Sequence, residues 1–218
     1  MIYLWPSSAI EGITHGLMLQ PGVRHHRAGL KQGLPWAYDN GCYSGFDPVR
    51  WLHTLDAHET YRETCLFVTC PDVVGNALAT LEKWRTWMPV IVERGWPVAF
   101  VAQDGQEFHP FPPEFDTLFV GGTTEWKLSP RADDCIRRAQ ALGKWVHVGR
   151  VNTQRRIRHF QRIGVDSVDG TAIAFEPDAK IRLIGNAMAQ PPLFRLCDAI
   201  PRRDSPSKPG SGLVRYRC

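Results

Sequence analysis

The chain predicts an α/β fold, and within that class a compact (β/α) barrel of the TIM type. Two patterns point there. Short apolar runs alternate with longer segments carrying helix caps and stops, as expected of βα units and a mainly parallel sheet. Six of those runs also end in a small polar cluster: Ala37-Tyr38-Asp39-Asn40-Gly41, Val68-Thr69-Cys70-Pro71-Asp72, Phe100-Val101-Ala102-Gln103-Asp104-Gly105, Phe119-Val120-Gly121-Gly122-Thr123, Val146-His147-Val148-Gly149-Arg150 and Val165-Asp166-Ser167-Val168-Asp169-Gly170. In a parallel barrel the C-terminal rim of the strands carries the chemistry, so a polar residue just past each run suits that architecture. A doubly wound sheet is the alternative, disfavoured because the glycine-rich dinucleotide fingerprint is absent. Length sets a limit: with 218 residues and about seven strands, the barrel is compact, incomplete or irregular, since a standard one takes ~250 residues.

Taken in order, residues 2–5 form a first strand. Residues 7–35 show no clear period; with Arg24-His25-His26-Arg27, Lys31 and several glycines they read as an irregular, mobile basic segment. A strand over 36–39 leads to a helix opened by Asp47 as cap and Pro48 in the first turn. A strand over 65–70 leads to a helix from about Val74 to Arg94, stopped at Gly95. The strand at 97–103 is followed by His109-Pro-Phe-Pro-Pro113, a loop because proline cannot donate to a ladder. A strand over 117–121 precedes a helix from Ser129-Pro130 to Leu142, closed by Gly143. A strand over 145–149 precedes a helix from Asn152 to Ile163, closed by Gly164, and 165–169 form the last strand. One domain over 1–200 is expected, with a disordered basic tail over 201–218.

Composition bounds the function classes. Hydrophobic content of 43% and charged content of 22% suit a globular protein with one substantial core. No run approaches the ~20 apolar residues that cross a bilayer, and Met1-Ile-Tyr-Leu-Trp-Pro6 lacks the basic start of a secretion signal. A cytosolic protein with no membrane partner is the expectation. A net charge of +4 and a pI near 8.8 are compatible with nucleic acid without pointing to it alone. Trp84, Trp87 and Trp96 belong to one helix and its end, where packing is the expected role. Six cysteines, among them Cys197 and Cys218, lack metal-ligand spacing, so free and mostly buried thiols are expected and no zinc site.

Each polar cluster has a plain reading too. An Asp at a strand end serves as a helix cap or turn residue, Asp72 stands where it can cap the helix beginning near Val74, and Gly121-Gly122 serves as a turn. Jointly the clusters suit a planar, hydrogen-bonding ligand held beside two carboxylates. Two carboxylates flanking an anomeric carbon are what glycosyl transfer needs: one attacks or stabilises the oxocarbenium-like centre, the other moves a proton on the leaving group.

Asp39-Asn40-Gly41, Asp72, Val101-Ala102-Gln103, Gly121-Gly122 and Gly164-Val165-Asp166-Ser167-Val168-Asp169 occur in the order, and on the elements, seen in tRNA-guanine transglycosylases. Pro71-Asp72-Val73-Val74-Gly75, Gly121-Gly122-Thr123-Thr124-Glu125-Trp126-Lys127 and His147-Val148-Gly149-Arg150-Val151-Asn152 resemble a smaller branch of that superfamily. These are the deoxypurine-in-DNA transglycosylases of phages and bacteria, which install 7-deazaguanine bases in DNA. The resemblance covers roughly residues 36–175. It implies that Asp169 is the nucleophile and Asp39 the general acid/base. Asp72 and Gln103 would bind the purine edge, with the Gly121-Gly122 backbone as the remaining base contact. It implies DNA, or less favourably tRNA or a free nucleoside, as the substrate, guanine or a 7-deazaguanine as the exchanged base, and no cofactor. The cytosol of a bacterium or a phage-infected host would be the setting. Two departures stand out: the four-ligand zinc site that holds tRNA in the tRNA enzymes has no counterpart, and Asp-Asn-Gly replaces an Asp-Ser-Gly-Gly turn.

A purine edge independently matches Asp72 and Gln103, since its N–H groups suit a carboxylate and its carbonyl an amide N–H. For the polymer, Arg155, Arg158, His159 and Arg162 share one face of a helix whose other side carries Ile157 and Phe160. That stripe is either a solvated face or a phosphate track. Arg150 and Lys127 fall nearer the expected pocket. A non-catalytic nucleic-acid-binding subunit on the same scaffold is the alternative from a different class.

Overall fold

The structure is a computed structural model describing residues 1–5, 15–22, 27–170 and 177–189. Eight parallel strands close into a barrel in sequence order, β1 pairing with β8. The strands are β1 (Ile2–Trp5), β2 (His15–Leu19), β3 (Trp36–Tyr38), β4 (Cys65–Thr69), β5 (Val98–Ala102), β6 (Thr117–Val120), β7 (Trp145–Val148) and β8 (Ser167–Asp169). The helices are α1 (Arg27–Lys31), α2 (Pro48–Asp56), α3 (Ala77–Val92), α4 (Thr124–Lys127), α5 (Pro130–Ala141), α6 (Gln154–Ile163) and α7 (Pro177–Ala189). None of the described helices is long and apolar enough to cross a membrane.

Closure bears out the expected barrel and corrects two details of it. The sheet is a complete barrel, not a doubly wound or interrupted one, and the stretch over 7–35 is not wholly irregular: it holds β2 and α1. His15-Gly16-Leu17-Met18-Leu19 hides its alternation because one inward position is Gly16. A Cβ there would lie 2.4 Å from the Pro35 carbonyl oxygen and 2.8 Å from Leu4, so the backbones approach where a side chain cannot fit. The basic cluster Arg24-His25-His26 and the tail over 201–218 lie outside the described residues. The barrel closes on a short chain because its connections are short. The β5–β6 link has a 3-10 turn (Gln106–Phe108) in place of an α-helix, and α1 and α4 are single turns.

Local chemistry sets the helix ends. Asp47 caps α2 by accepting from the Arg50 N–H, with Pro48 in the first turn as expected. Two helices start later than the sequence reading: Asn76 caps α3 and Thr153 caps α6, each accepting from the N–H three residues on. Asp72 therefore caps no helix. Gly164 ends α6 in the left-handed region at φ 84°, which glycine enters without a Cβ penalty.

Strand alternation makes two cores. Leu4, Met18, Ala37, Phe67 and Ala99 fill the barrel interior, with Phe119 and Trp145 packed against them. The alternate residues, including Tyr38, Val68, Phe100, Leu118, Val146 and Val168, face the helices in a larger outer core. Trp84 and Trp96 are buried there, and Trp87 packs edge-on against Phe46 and Trp51. Cys70 and Cys135 are buried, Cys42 and Cys65 half-buried, and all four are free thiols; Cys197 and Cys218 lie outside the described residues. Among the described residues no group of His, Cys, Asp and Glu is placed to hold a metal ion.

Candidate active site

The site follows from the same alternation carried to the rim. Two residues beyond an inward position, the next inward position emerges at the C-terminal end of its strand: Ala37 leads to Asp39, Phe67 to Thr69, Val101 to Gln103, Phe119 to Gly121, His147 to Gly149 and Ser167 to Asp169. These rim residues line one cavity of about 370 Å³, floored by Leu4, Met18, Val101 and Phe119. That volume falls within the range of small-molecule pockets. Asp39, Asp72, Asp169, Gln103, Gly121, Lys127 and Arg150 all line it; Gly122 borders it through its neighbour, and Arg155, Arg158 and Arg162 lie outside it.

One wall is a closed hydrogen-bond network. Asp72 accepts from Asn40 Nδ2 at 2.7 Å and from Gln103 Nε2 at 2.5 Å. Asn40 Nδ2 also reaches the Cys70 carbonyl, and Lys83 Nζ donates to the Asp72 carbonyl. Gln103 Oε1 accepts from the Gly75 and Gly122 N–H groups at 2.8 and 2.9 Å, which fixes the amide orientation. The Gly122 N–H is thus engaged by Gln103, and the Gly121 N–H by the Ala102 carbonyl. Gly121 matters for another reason: a Cβ there would lie 2.6 Å from Gln103 Nε2 and 2.9 Å from Val101. Burial raises the Asp72 pKa, opposed by its hydrogen bonds to Asn40 and Gln103.

The two carboxylates across the cavity differ in proton affinity. Asp39 is pushed up to about 7, first by burial and then by the Asp169 charge; the Asn40 N–H, donating to Oδ1 at 2.8 Å, offsets part of this. Burial also opposes Asp169 ionisation, but a bond from His147, the charge His147 carries when protonated, the Arg150 N–H and the Lys127 charge outweigh it and hold its pKa below the usual carboxylate value. Arg150 N donates to Asp169 Oδ1 at 2.5 Å, and His147 Nε2 stands 3.4 Å from Oδ2. Two carboxyls driven apart by their surroundings are the mark of an acid and an anion with separate tasks.

Arg150 is the described non-glycine residue with positive φ, at 59°. This conformation is uncommon for a residue with a Cβ. It aims the Arg150 N–H at Asp169 while the guanidinium donates to the Gly122 carbonyl at 2.7 Å and lies 4.8 Å from the Tyr43 ring centre. Lys127 is only 3% exposed and donates to the Gly149 carbonyl. Burial and the nearby Arg150 charge lower its pKa to about 8, against the pull of Asp169. Lys127 is therefore a pocket residue, out of reach of a strand running over the surface.

Asp166, the other carboxylate of the Asp166-Ser167-Val168-Asp169 run, stands before β8 and accepts from the Val146 N–H at 2.8 Å. On α6, Arg155 and Arg162 are exposed and Arg158 half-buried. Ile157, Phe160 and Ile163 are buried on the opposite side. His159 leaves the stripe, its Nε2 being 3.1 Å from Asp133 of α5. Sequence reasoning did not assign Asn40, Tyr43 or His147 to the site. Asn40 and His147 stood inside quoted clusters, and alternation alone puts His147 on the inward face two residues before Gly149.

A scan against models of known protein families finds no match. A search of curated proteins finds none either. Solved structures do match: 3-hexulose-6-phosphate synthase from Salmonella typhimurium aligns over 78% of this chain and 85% of its own, at 16% identity and a TM-score of 0.42.

Proposed function

We propose that this chain is a base-exchange transglycosylase that replaces guanine in a polynucleotide, DNA in first place, with a 7-deazaguanine. The observation that carries the reading is the pair of carboxyls in one cavity, Asp39 holding its proton to about pH 7 and Asp169 kept ionised. The Asp169 carboxylate attacks C1′ and the glycosidic bond breaks. Its electron pair leaves on guanine, which takes the Asp39 proton. The incoming base gives an N–H proton to Asp39 and attacks C1′, and the Asp169–C1′ ester bond breaks. Both steps use groups already in place, and the carboxylate is regenerated.

Asp72 and Gln103 supply base recognition. The Asp72 carboxylate accepts the N–H donors of a guanine edge, and the second Nε2–H of Gln103, whose first engages Asp72, meets the ring carbonyl. A polymer is supported by Arg155, Arg158 and Arg162 on α6, the helix that follows the rim end of β7, and a target inside a duplex has to be flipped out to bring C1′ to Asp169. The test is incubation of the chain with labelled guanine and, separately, duplex DNA and tRNA. Label entering DNA is the expected result. Label entering tRNA alone moves the substrate to tRNA. Label in neither, with DNA still bound, makes the chain a binding subunit.

A further inference from the structure

Beneath Asp169 runs a column of polar groups that the exchange chemistry above does not use. It alternates between β7 and β8: Trp145, Ser167, His147, Asp169. The parallel register places His147 opposite Ser167, so inward residues two apart on each strand interleave on the way to the rim. Trp145 Nε1 donates to Ser167 Oγ at 2.9 Å, Ser167 Oγ lies 2.9 Å from His147 Nδ1, and His147 Nε2 lies 3.4 Å from Asp169 Oδ2. His147 is fully buried, its ring centre 5.0 Å from that of Phe67 and 4.7 Å from that of Phe119. Neither aromatic offers it a hydrogen bond.

The donor and acceptor roles follow by elimination. Indole Nε1–H only donates, so Ser167 Oγ accepts there. An ionised Asp169 only accepts, so His147 carries its proton on Nε2. Burial in the aromatic cage lowers the His147 pKa against the pull of Asp169, so above the ordinary imidazole range the ring is neutral and Nδ1 has no proton. Nδ1 must then accept, and Ser167 Oγ–H is the donor that meets it.

We propose that His147, its tautomer set by Ser167 and Trp145, is a positioning residue that holds Asp169 in its ionised, inward-facing state for attack. The proposal rests on the reading of Asp169 as nucleophile. His147 touches no substrate; it supplies one N–H from below while the Arg150 N–H supplies another from the rim. The groups facing Asp169 are His147 and Arg150 from β7 and its loop, Lys127 from α4, Asp39 from the end of β3 and Tyr3 from β1. Of these, only His147 connects Asp169 to the column below.

The test is the titration of the Asp169 carboxyl by carbon-13 NMR in the full chain labelled at aspartate, with Asp169→Asn to assign the signal. His147→Phe keeps the ring volume and removes the donor. It is expected to raise the Asp169 midpoint by about one pH unit or more, a tenfold loss of acidity. Ser167→Ala, which frees the tautomer, should shift it in the same direction by less, and it decides the matter if His147→Phe does not fold. An unchanged midpoint in a folded variant overturns the proposal. The acid limb of kcat/KM for base exchange is expected to move with the midpoint, whereas a merely structural His147 would lower the rate at every pH alike. If wild type exchanges no base but the midpoint shifts, the positioning role stands and the transglycosylase reading fails. If wild type exchanges base and neither the midpoint nor the limb moves, the reverse holds.

Discussion

Asp39→Asn is expected to stabilise the folded chain, and to do so more as the pH rises. In the folded protein burial and the Asp169 charge keep the Asp39 proton bound up to about pH 7, whereas the unfolded chain releases it near the ordinary 3.8. Between those values the unfolded state has lost a proton that the folded state still holds, so folding must take one up. The associated stability is fully present below 3.8 and lost as the pH rises through about 7. At ~1.36 kcal/mol per tenfold change in proton affinity, the difference caps the loss at about 4 kcal/mol. Asparagine has the same shape, keeps an oxygen for the Asn40 N–H and has no charge to bury. Its gain over wild type is expected to be near zero around pH 3.5, about 1.5 kcal/mol at pH 5 and about 4 kcal/mol at pH 8, as an upper bound from this linkage. Urea unfolding of both proteins across that range measures it. A gain that is flat with pH, or a variant less stable than wild type at pH 8, would refute the argument that Asp39 is held protonated by its surroundings.

Four further outcomes are expected. Above about pH 7 the kcat/KM for base exchange should fall tenfold per pH unit as Asp39 gives up the proton the leaving base needs, which a pH–rate profile measures. Asp169→Asn should abolish incorporation of labelled guanine while Asp166→Asn, whose side chain accepts from the Val146 N–H below the rim, retains it; the opposite pattern exchanges the two roles. Gly121→Ala should push Gln103 off Asp72, because the new Cβ would meet Nε2 at 2.6 Å and the amide is anchored at three points. Calorimetry with free guanine should then show affinity down by about 1–3 kcal/mol, the cost of an unsatisfied buried group. Replacing Arg155, Arg158 and Arg162 together by Gln should weaken DNA binding in all sequences alike and flatten the slope of log affinity against log salt by about three, at ~0.9 per duplex contact. An unchanged slope would make the α6 face merely solvated.

The α/β class, the barrel and the C-terminal rim were legible from the sequence because they rest on local periods. Apolar runs with a polar residue at the end, a capping Asp47 and a closing Gly164 act within a few residues of themselves, and the run ends put Asp39, Gln103 and Asp169 at the expected rim. β2 escaped because Gly16 stands at an inward position where a side chain would have marked the face. What Asp72 does was likewise hidden: its position before α3 is that of a cap, and only the fold brings Asn40 and Gln103, 32 and 31 residues away, onto its oxygens. Lys127 was expected near the pocket, but its burial and its bond to the Gly149 carbonyl come only from the short α4 that turns it inward. His147 became a partner of Asp169 only once β7 lay beside β8 in a register that interleaves their inward residues. Periodicity and capping depend on neighbours along the chain, which a sequence displays. Proton affinity and hydrogen-bond partnership depend on neighbours through space, which barrel closure alone decides.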